Sequence, residues 1–304
     1  MAPSGFTKEA KRDDQTDAGF IKRAKKVEKS RVAEYMSRLD FDLANQNLYV
    51  INNVEVQFTI YKNDDRFLVQ SLDLADTNEY RVRVHNIRMY VKTVDVQPSL
   101  NLTIFNMLEK TPAKYPIRRT QARSGFISVG RTEYTYNVFT NTVPRRLIVA
   151  MVANEAYNGR LAKDPFNFRP FNVKEISANV GGLTYPAVPY HLEWRNVTGK
   201  QLSFYRPYMD MLDATMANVG GGNTNGISED MFANGWTIFV IPLTSTLEDH
   251  DGFELVRNGT TTLNLKFAEA VPADGGGVEL ICIGEFDQLL SIDQNRVVIT
   301  DGAV

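Results

Sequence analysis

From about Leu43 onward, apolar and polar residues alternate with a period of two over short stretches, the mark of strands that bury one face. Val54, Val56, Phe58 and Ile60 alternate with Glu55, Gln57 and Thr59. Tyr80, Val82 and Val84 alternate with Arg81, Arg83 and His85, after which Ile87, Met89 and Val91 continue on the opposite parity. A parity change without a turn signal predicts a β-bulge at His85–Asn86. Further strands are predicted at Phe126–Val129, Arg146–Val152, Asn172–Ala178, Trp236–Pro242, Thr261–Phe267 and Val278–Phe286. Between the last two, Asp274-Gly275-Gly276-Gly277 supplies a hairpin turn. Helical spacing is confined to Leu100–Lys110, stopped by Pro112, and Tyr208–Ala217, stopped by Gly220-Gly221-Gly222-Asn223. About eight strands with long loops and short helices predict an all-β jelly-roll sandwich or barrel rather than alternating βαβ units.

The first 42 residues read differently. Met1 to about Ser30 is too polar to build a core and is expected to begin as a disordered arm. From Phe20, the residues Ile21, Val27, Val32, Tyr35, Met36 and Leu39 form a loose helical stripe. The organisation expected is therefore an N-terminal arm and helix over residues 1–42 and a jelly-roll domain over 43–304. Lys22, Arg23, Lys25 and Lys26 concentrate positive charge on the arm and are candidates for weak contact with nucleic acid through phosphate neutralisation. A solvated helix face is the plainer reading, because Glu28 and Glu34 dilute the charge.

Charge balance changes the picture little: 34 basic and 36 acidic residues leave a net charge of −2, with no dominant sign for a whole-domain nucleic-acid or membrane surface. No apolar run approaches the ~20 residues that span a bilayer. At the N-terminus Asp13, Asp14 and Asp17 stand where an export signal would be apolar. Cys282 is the sole cysteine, so no intrachain disulfide can form.

Catalytic chemistry is sparse. His85, His191 and His250 are the only histidines, and none has a second histidine at ligand spacing. The acidic loop Glu248-Asp249-His250-Asp251 lacks the EF-hand pattern. No nucleophile elbow, phosphate loop or dinucleotide fingerprint occurs. Cys282 alternates into a strand, where an inert buried thiol is expected. Neither a metal nor an organic cofactor is expected, and the chain does not read as an enzyme.

Aromatic and proline-rich loops are abundant instead. Phe166, Phe168 and Phe171 sit in Asp164-Pro165-Phe166-Asn167-Phe168-Arg169-Pro170-Phe171, and Tyr185, Tyr190, Trp194, Tyr205 and Tyr208 follow. These eight are candidates for subunit contact, since interface cores favour large aromatic residues. Internal packing that fixes the loops to the sandwich explains them equally well.

Several phrases resemble a known family. They are Lys114-Tyr115-Pro116-Ile117-Arg118-Arg119, Val143-Pro144-Arg145-Arg146-Leu147-Ile148-Val149, Asn154-Glu155-Ala156-Tyr157-Asn158-Gly159, Asp164-Pro165-Phe166-Asn167-Phe168, Asn234-Gly235-Trp236-Thr237 and Phe267-Ala268-Glu269-Ala270. In order and spacing they resemble the C-terminal jelly roll of the double-jelly-roll major capsid proteins of Polinton/Maverick (adintovirus-like) elements. That resemblance implies a structural virion protein whose copies assemble into homotrimeric capsomers of an icosahedral shell, in host cytoplasm or nucleus. It further implies minor capsid proteins as partners and no membrane contact. The region that matches begins almost at once, with no first jelly roll legible upstream. The alternative carried beside this reading is a non-catalytic jelly-roll module that binds a glycan or receptor, with Trp194 or the Asp249–Asp251 loop as its site.

Overall fold

The structure is a computed structural model that describes residues 18–39, 41–71, 79–195, 201–215, 225–244 and 257–300. The N-terminal part holds α1 (Ala18–Val27), α2 (Asp42–Asn45), α3 (Asp65–Leu68) and α4 (Pro98–Leu108). Strands β1 (Ala113–Ile127), β2 (Glu133–Phe139) and β3 (Arg146–Ala153) follow, then α5 (Asn154–Tyr157), β4 (Val173–Val180) and β5 (Leu183–His191). Helices α6 (Tyr205–Ala214) and α7 (Glu229–Ala233) precede β6 (Ile238–Pro242), β7 (Thr261–Phe267), β8 (Val278–Ile292) and β9 (Val298–Thr300).

All pairings between the named strands are antiparallel. One sheet runs β1-β8-β3-β6, with β9 added to the far end of β8, and the other runs β2-β7-β4-β5. The first eight strands thus distribute as 1-8-3-6 and 2-7-4-5, the double Greek-key order of a jelly roll. The inward residues of both sheets form one core. Leu147, Val149 and Met151 of β3, Leu280, Cys282 and Phe286 of β8 and Phe239 of β6 meet Ile176 and Ala178 of β4 and Leu263, Leu265 and Phe267 of β7. Helix α6 closes the edge between β5 and β6: it packs along β6, Arg206 donates to the Val188 carbonyl at 2.8 Å, and Asp210 accepts from Tyr190.

Two edge strands that contain proline exceed the prediction: β1, of which the pattern predicted only the end from Phe126, and β5, which it did not predict. β1 carries Pro116 and β5 carries Pro186 and Pro189, and a residue without an N–H is tolerated where one edge of the strand has no ladder. Strand β2 was also missed, although Tyr134, Tyr136 and Val138 alternate. Conversely, Val54–Ile60, Tyr80–Val84 and Ile87–Val91 belong to no strand, which leaves the β-bulge read at His85–Asn86 with no ladder to interrupt. The reason is physical: a period-two pattern becomes a strand only against a partner, and the eight sandwich strands pair with one another. Among these residues Val56, Phe58, Ile60, Val84, Ile87, Met89 and Val91 are exposed.

The predicted helix from Phe20 to Leu39 is shorter than its stripe. After α1 a single 3-10 turn spans Glu28–Ser30, and Lys29 and Ser30 take φ of 56° and 59°, which breaks the helical path. Val32, Tyr35 and Met36 lie exposed beyond it. The predicted helices Leu100–Lys110 and Tyr208–Ala217 correspond to α4 and α6, while the Gly220–Asn223 loop and the Glu248–Asp251 loop with His250 lie outside the described residues.

Beyond the sandwich, the first half of β1 and the last half of β8 continue as a ribbon whose inward side is covered by residues 43–54. Tyr115, Ile117 and Ile292 are buried there under Leu43, Ile51 and Val54. The Tyr115 hydroxyl accepts from the Ile51 N–H and donates to the Tyr49 carbonyl, both at 3.1 Å. A second attachment joins Ser71 N–H to the Leu161 carbonyl at 2.8 Å and sets Phe67 edge-on to Phe166.

Gly284 is where β8 permits the core to close. A Cβ there would lie 2.5 Å from the Phe139 ring and 3.0 Å from the Phe286 ring, and those rings already pack edge to face at 5.1 Å. Gly284→Ala is expected to lower unfolding free energy by about 1–3 kcal/mol through overpacking, read from a chemical denaturation midpoint with unchanged slope.

Candidate assembly surface

The aromatic loop residues divide by burial. Phe171 and Tyr190 are buried within the chain at 8% and 1% exposure. The Tyr190 hydroxyl donates to Asp210, and burial first, then this carboxylate, holds it protonated far above the ordinary range. Trp194 is half-buried, stacks on Phe204 at 5.2 Å and Phe232 at 6.1 Å, and donates its indole N–H to the Val173 carbonyl at 2.7 Å. Tyr208 packs against Phe232 and donates to the Ile227 carbonyl. Tyr185 is half-buried against the core and Phe168 half-buried beside Phe166. Internal packing therefore accounts for Phe171, Tyr190, Trp194 and Tyr208, because their edges are spent on the sandwich end. Phe166 and Tyr205 remain 50% and 48% exposed.

The basic candidates lie together on α1, where Lys22, Lys25 and Lys26 are exposed and Arg23 is half-buried.

The outer faces of the two sheets differ sharply, and strand register makes this visible row by row. On the β2-β7-β4-β5 sheet, one row reads Glu133, Lys266, Glu175 and His191. The next two read Thr135, Asn264, Ser177 and Asn137, Thr262, Asn179. Lys266 donates to Glu175 at 2.9 Å, Thr135 to Asn264 at 3.1 Å and Thr262 to Asn137 at 2.8 Å. This face is built for water. On the β1-β8-β3-β6 sheet the corresponding rows are Ala122, Ile283, Ile148, Val240 and Ser124, Ile281, Ala150, Ile238. Neither row contains a charge. Val240 and Ala150 are buried, the four isoleucines are half-buried, and Ala122 and Ser124 are exposed.

Charged residues border these rows. On one side Glu285 accepts from Arg146 at 2.6 and 3.1 Å, and Arg146 also donates to the Ala214 carbonyl at 2.6 Å. On the other side Glu279 is 7% exposed and faces Asn154 at 3.4 Å, with no cation within ion-pair reach among the described residues. Sequence reading missed this face, although its signal was present: Leu147–Ala153 and Leu280–Ile283 are nearly unbroken apolar runs, the pattern of strands covered on both faces.

Among the described residues no group of three His, Cys, Asp or Glu side chains stands in metal-binding arrangement, and no helix is long and apolar enough to cross a membrane. His191 is 68% exposed, 3.9 Å from Glu175, and His85 lies exposed in the unpaired segment. A cleft between α5 and the β7–β8 turn, lined by Glu155, Lys163, Asp164, Arg169 and Asp274, has a volume of about 20 Å³, room for little more than one water. Cys282 is fully buried and burial pushes its thiol up to about 12.

No family's sequence model matches the chain. An uncharacterized protein of Caenorhabditis elegans is 29% identical over 307 residues, covering 100% of this chain and 70% of that protein. Among solved structures, the Sputnik virophage aligns with a TM-score of 0.39 at 11% identity over 64% of this chain, and the PBCV-1 virus capsid with 0.39 at 11% over 69%. The mavirus major capsid protein aligns with 0.32 at 11% over 63%. This chain spans 39%, 55% and 41% of those three chains. Likenesses of that size carry no weight for function, and the jelly-roll architecture stands on the strand order itself.

The Cys282 thiol is expected to resist alkylation at pH 8 in the folded protein and to react at once in denaturant. The unfolded thiol titrates near its ordinary value of about 8.5 and the folded one near 12. Burial therefore stabilises the fold below about pH 8.5, and this contribution is lost progressively as pH rises toward 12. Denaturation midpoints of wild type and Cys282→Ala measured from pH 7 to 10.5 should draw together as pH rises.

Proposed function

We propose that this chain is a structural subunit of a protein shell, a major-capsid-protein-like jelly roll that acts by self-association and carries out no catalysis. One observation carries the reading: a sandwich with its own complete core coexists with many large apolar side chains that stay exposed among the described residues. Leu102 is 62% exposed, Met107 64%, Ile60 67% and Tyr90 77%, and on the outer face of the five-stranded sheet Ile281 and Ile283 of β8 stay only half-buried. Exposed apolar surface on this scale marks protein contact. The resemblance of the loop phrases to Polinton/Maverick capsid proteins points the same way.

On this reading homotrimers build a larger shell as components of a virion assembled in the host cell, with minor capsid proteins as further partners. Phe166 and Tyr205 are the aromatic residues of the predicted set with surface to offer a neighbour. Lys22, Arg23, Lys25 and Lys26 would approach packaged nucleic acid, and no membrane or cofactor takes part. Strands that close into a double sheet leave few free edges, so copies can reach high concentration without pairing edge to edge.

The reading predicts mass above the 34.3 kDa monomer in size exclusion with light scattering across a concentration series, and rings or shells in negative-stain electron microscopy. A strict monomer at the highest attainable concentration would contradict it.

A further inference from the structure

We propose that residues 80–94 of one copy of this chain lie across the outer face of the β1-β8-β3-β6 sheet of a neighbouring copy. The inference rests on the self-association reading and names its surfaces.

Two unsatisfied elements meet the requirement. The first is the segment itself, which has strand periodicity but no strand partner. It is held at Val82, whose N–H donates to Asp65 at 2.9 Å, and at Lys92, whose ammonium lies 5.9 Å from the Tyr49 ring centre. Between these anchors Ile87, Met89 and Val91 are 63%, 50% and 66% exposed, all on one parity. The second is the β1–β8 half of the uncharged rows, where Ile281 and Ile283 are half-buried and Ala122 and Ser124 exposed, while Ala150 and Val240 toward α6 are already buried.

Charge selects a second copy as the occupant. Residues 80–94 contain Arg81, Arg83, Arg88 and Lys92 and no carboxylate. The apolar rows end at Glu279, more than nine-tenths buried and without a cation among the described residues. A buried carboxylate without a counter-ion is costly, and a basic segment crossing the face would supply one. The outer face of the other sheet presents paired polar groups and offers no such fit.

The area is small. Four strands ~4.8 Å apart and about four residues deep present roughly 250 Å² of uncharged sheet plane, against about 800 Å² per partner in a stable pairwise interface. Fifteen extended residues reach about 50 Å, more than the ~19 Å width of the sheet. Each contact is therefore weak alone. Because segment and face are different surfaces, the contact is heterologous, and repetition builds rings where the rotation closes and open filaments where it does not.

The test pairs two variants. Ile87→Asp with Met89→Asp removes the segment and leaves the face. Ile281→Lys with Ile283→Lys removes the face and leaves the segment. Each variant alone should be monomeric by light scattering, with the far-ultraviolet dichroism of wild type. An equimolar mixture should form dimers that grow no further, since only one productive contact remains. If the double lysine variant loses its sheet signal, Ala122→Arg blocks the same rows from an exposed position.

Self-association that survives either variant overturns the inference and leaves the shell reading standing. Association lost in the face variant but kept in the segment variant means that face meets face, which also overturns it. A monomeric wild type overturns both.

Discussion

The pairing of β8 on both of its edges is the interaction on which the sandwich depends. Over fifteen residues β8 matches β1, and over its first eight it also matches β3. Its inward side chains, Val278, Leu280, Cys282 and Phe286, are all buried. The opposite sheet can approach only because Gly284 leaves space for Phe139. Without β8, the first and third strands would face each other across a gap, β1 would lose its ladder and β3 would keep only its pairing with β6. The last long strand thus locks the first, a long-range closure typical of Greek-key folds and slow to form.

That closure produces an asymmetry with functional weight. Both inner faces are spent on one core, one outer face is polar and hydrogen-bonded, and the other is aliphatic. Among the described residues, those before Ala113 add no strand to either sheet. They attach through Tyr115, through Ser71 and Leu161, and through Phe67 and Phe166. A long peripheral region held at a few points, with apolar side chains turned outward, suits a chain whose final packing is made with other copies.

Much of this was legible in the residues. Strands β3, β4, β6, β7 and β8, helices α4 and α6, and the Gly275–Gly277 turn follow from period and turn chemistry. Where proline enters an edge strand, as in β1 and β5, local signals understate the strand because tolerance comes from the missing neighbour. Where periodicity exists without a ladder, as at Val54–Ile60 and Ile87–Val91, local signals overstate it. The aromatic loop residues announced that they pack, but only geometry separates buried Tyr190 from exposed Tyr205. The apolar outer face was written in the unbroken runs of β3 and β8, yet reading it required knowing which strands lie side by side.

Amide hydrogen exchange, measured at low and high protein concentration, tests most directly the division between a self-sufficient sandwich and a region completed by neighbouring copies. The account predicts strong protection in β3, β4, β7 and β8 at both concentrations. Amides of residues 80–94 should exchange fast in dilute solution and slow on assembly. Equal protection of that segment in dilute monomer, or none in the assembled state, would contradict it.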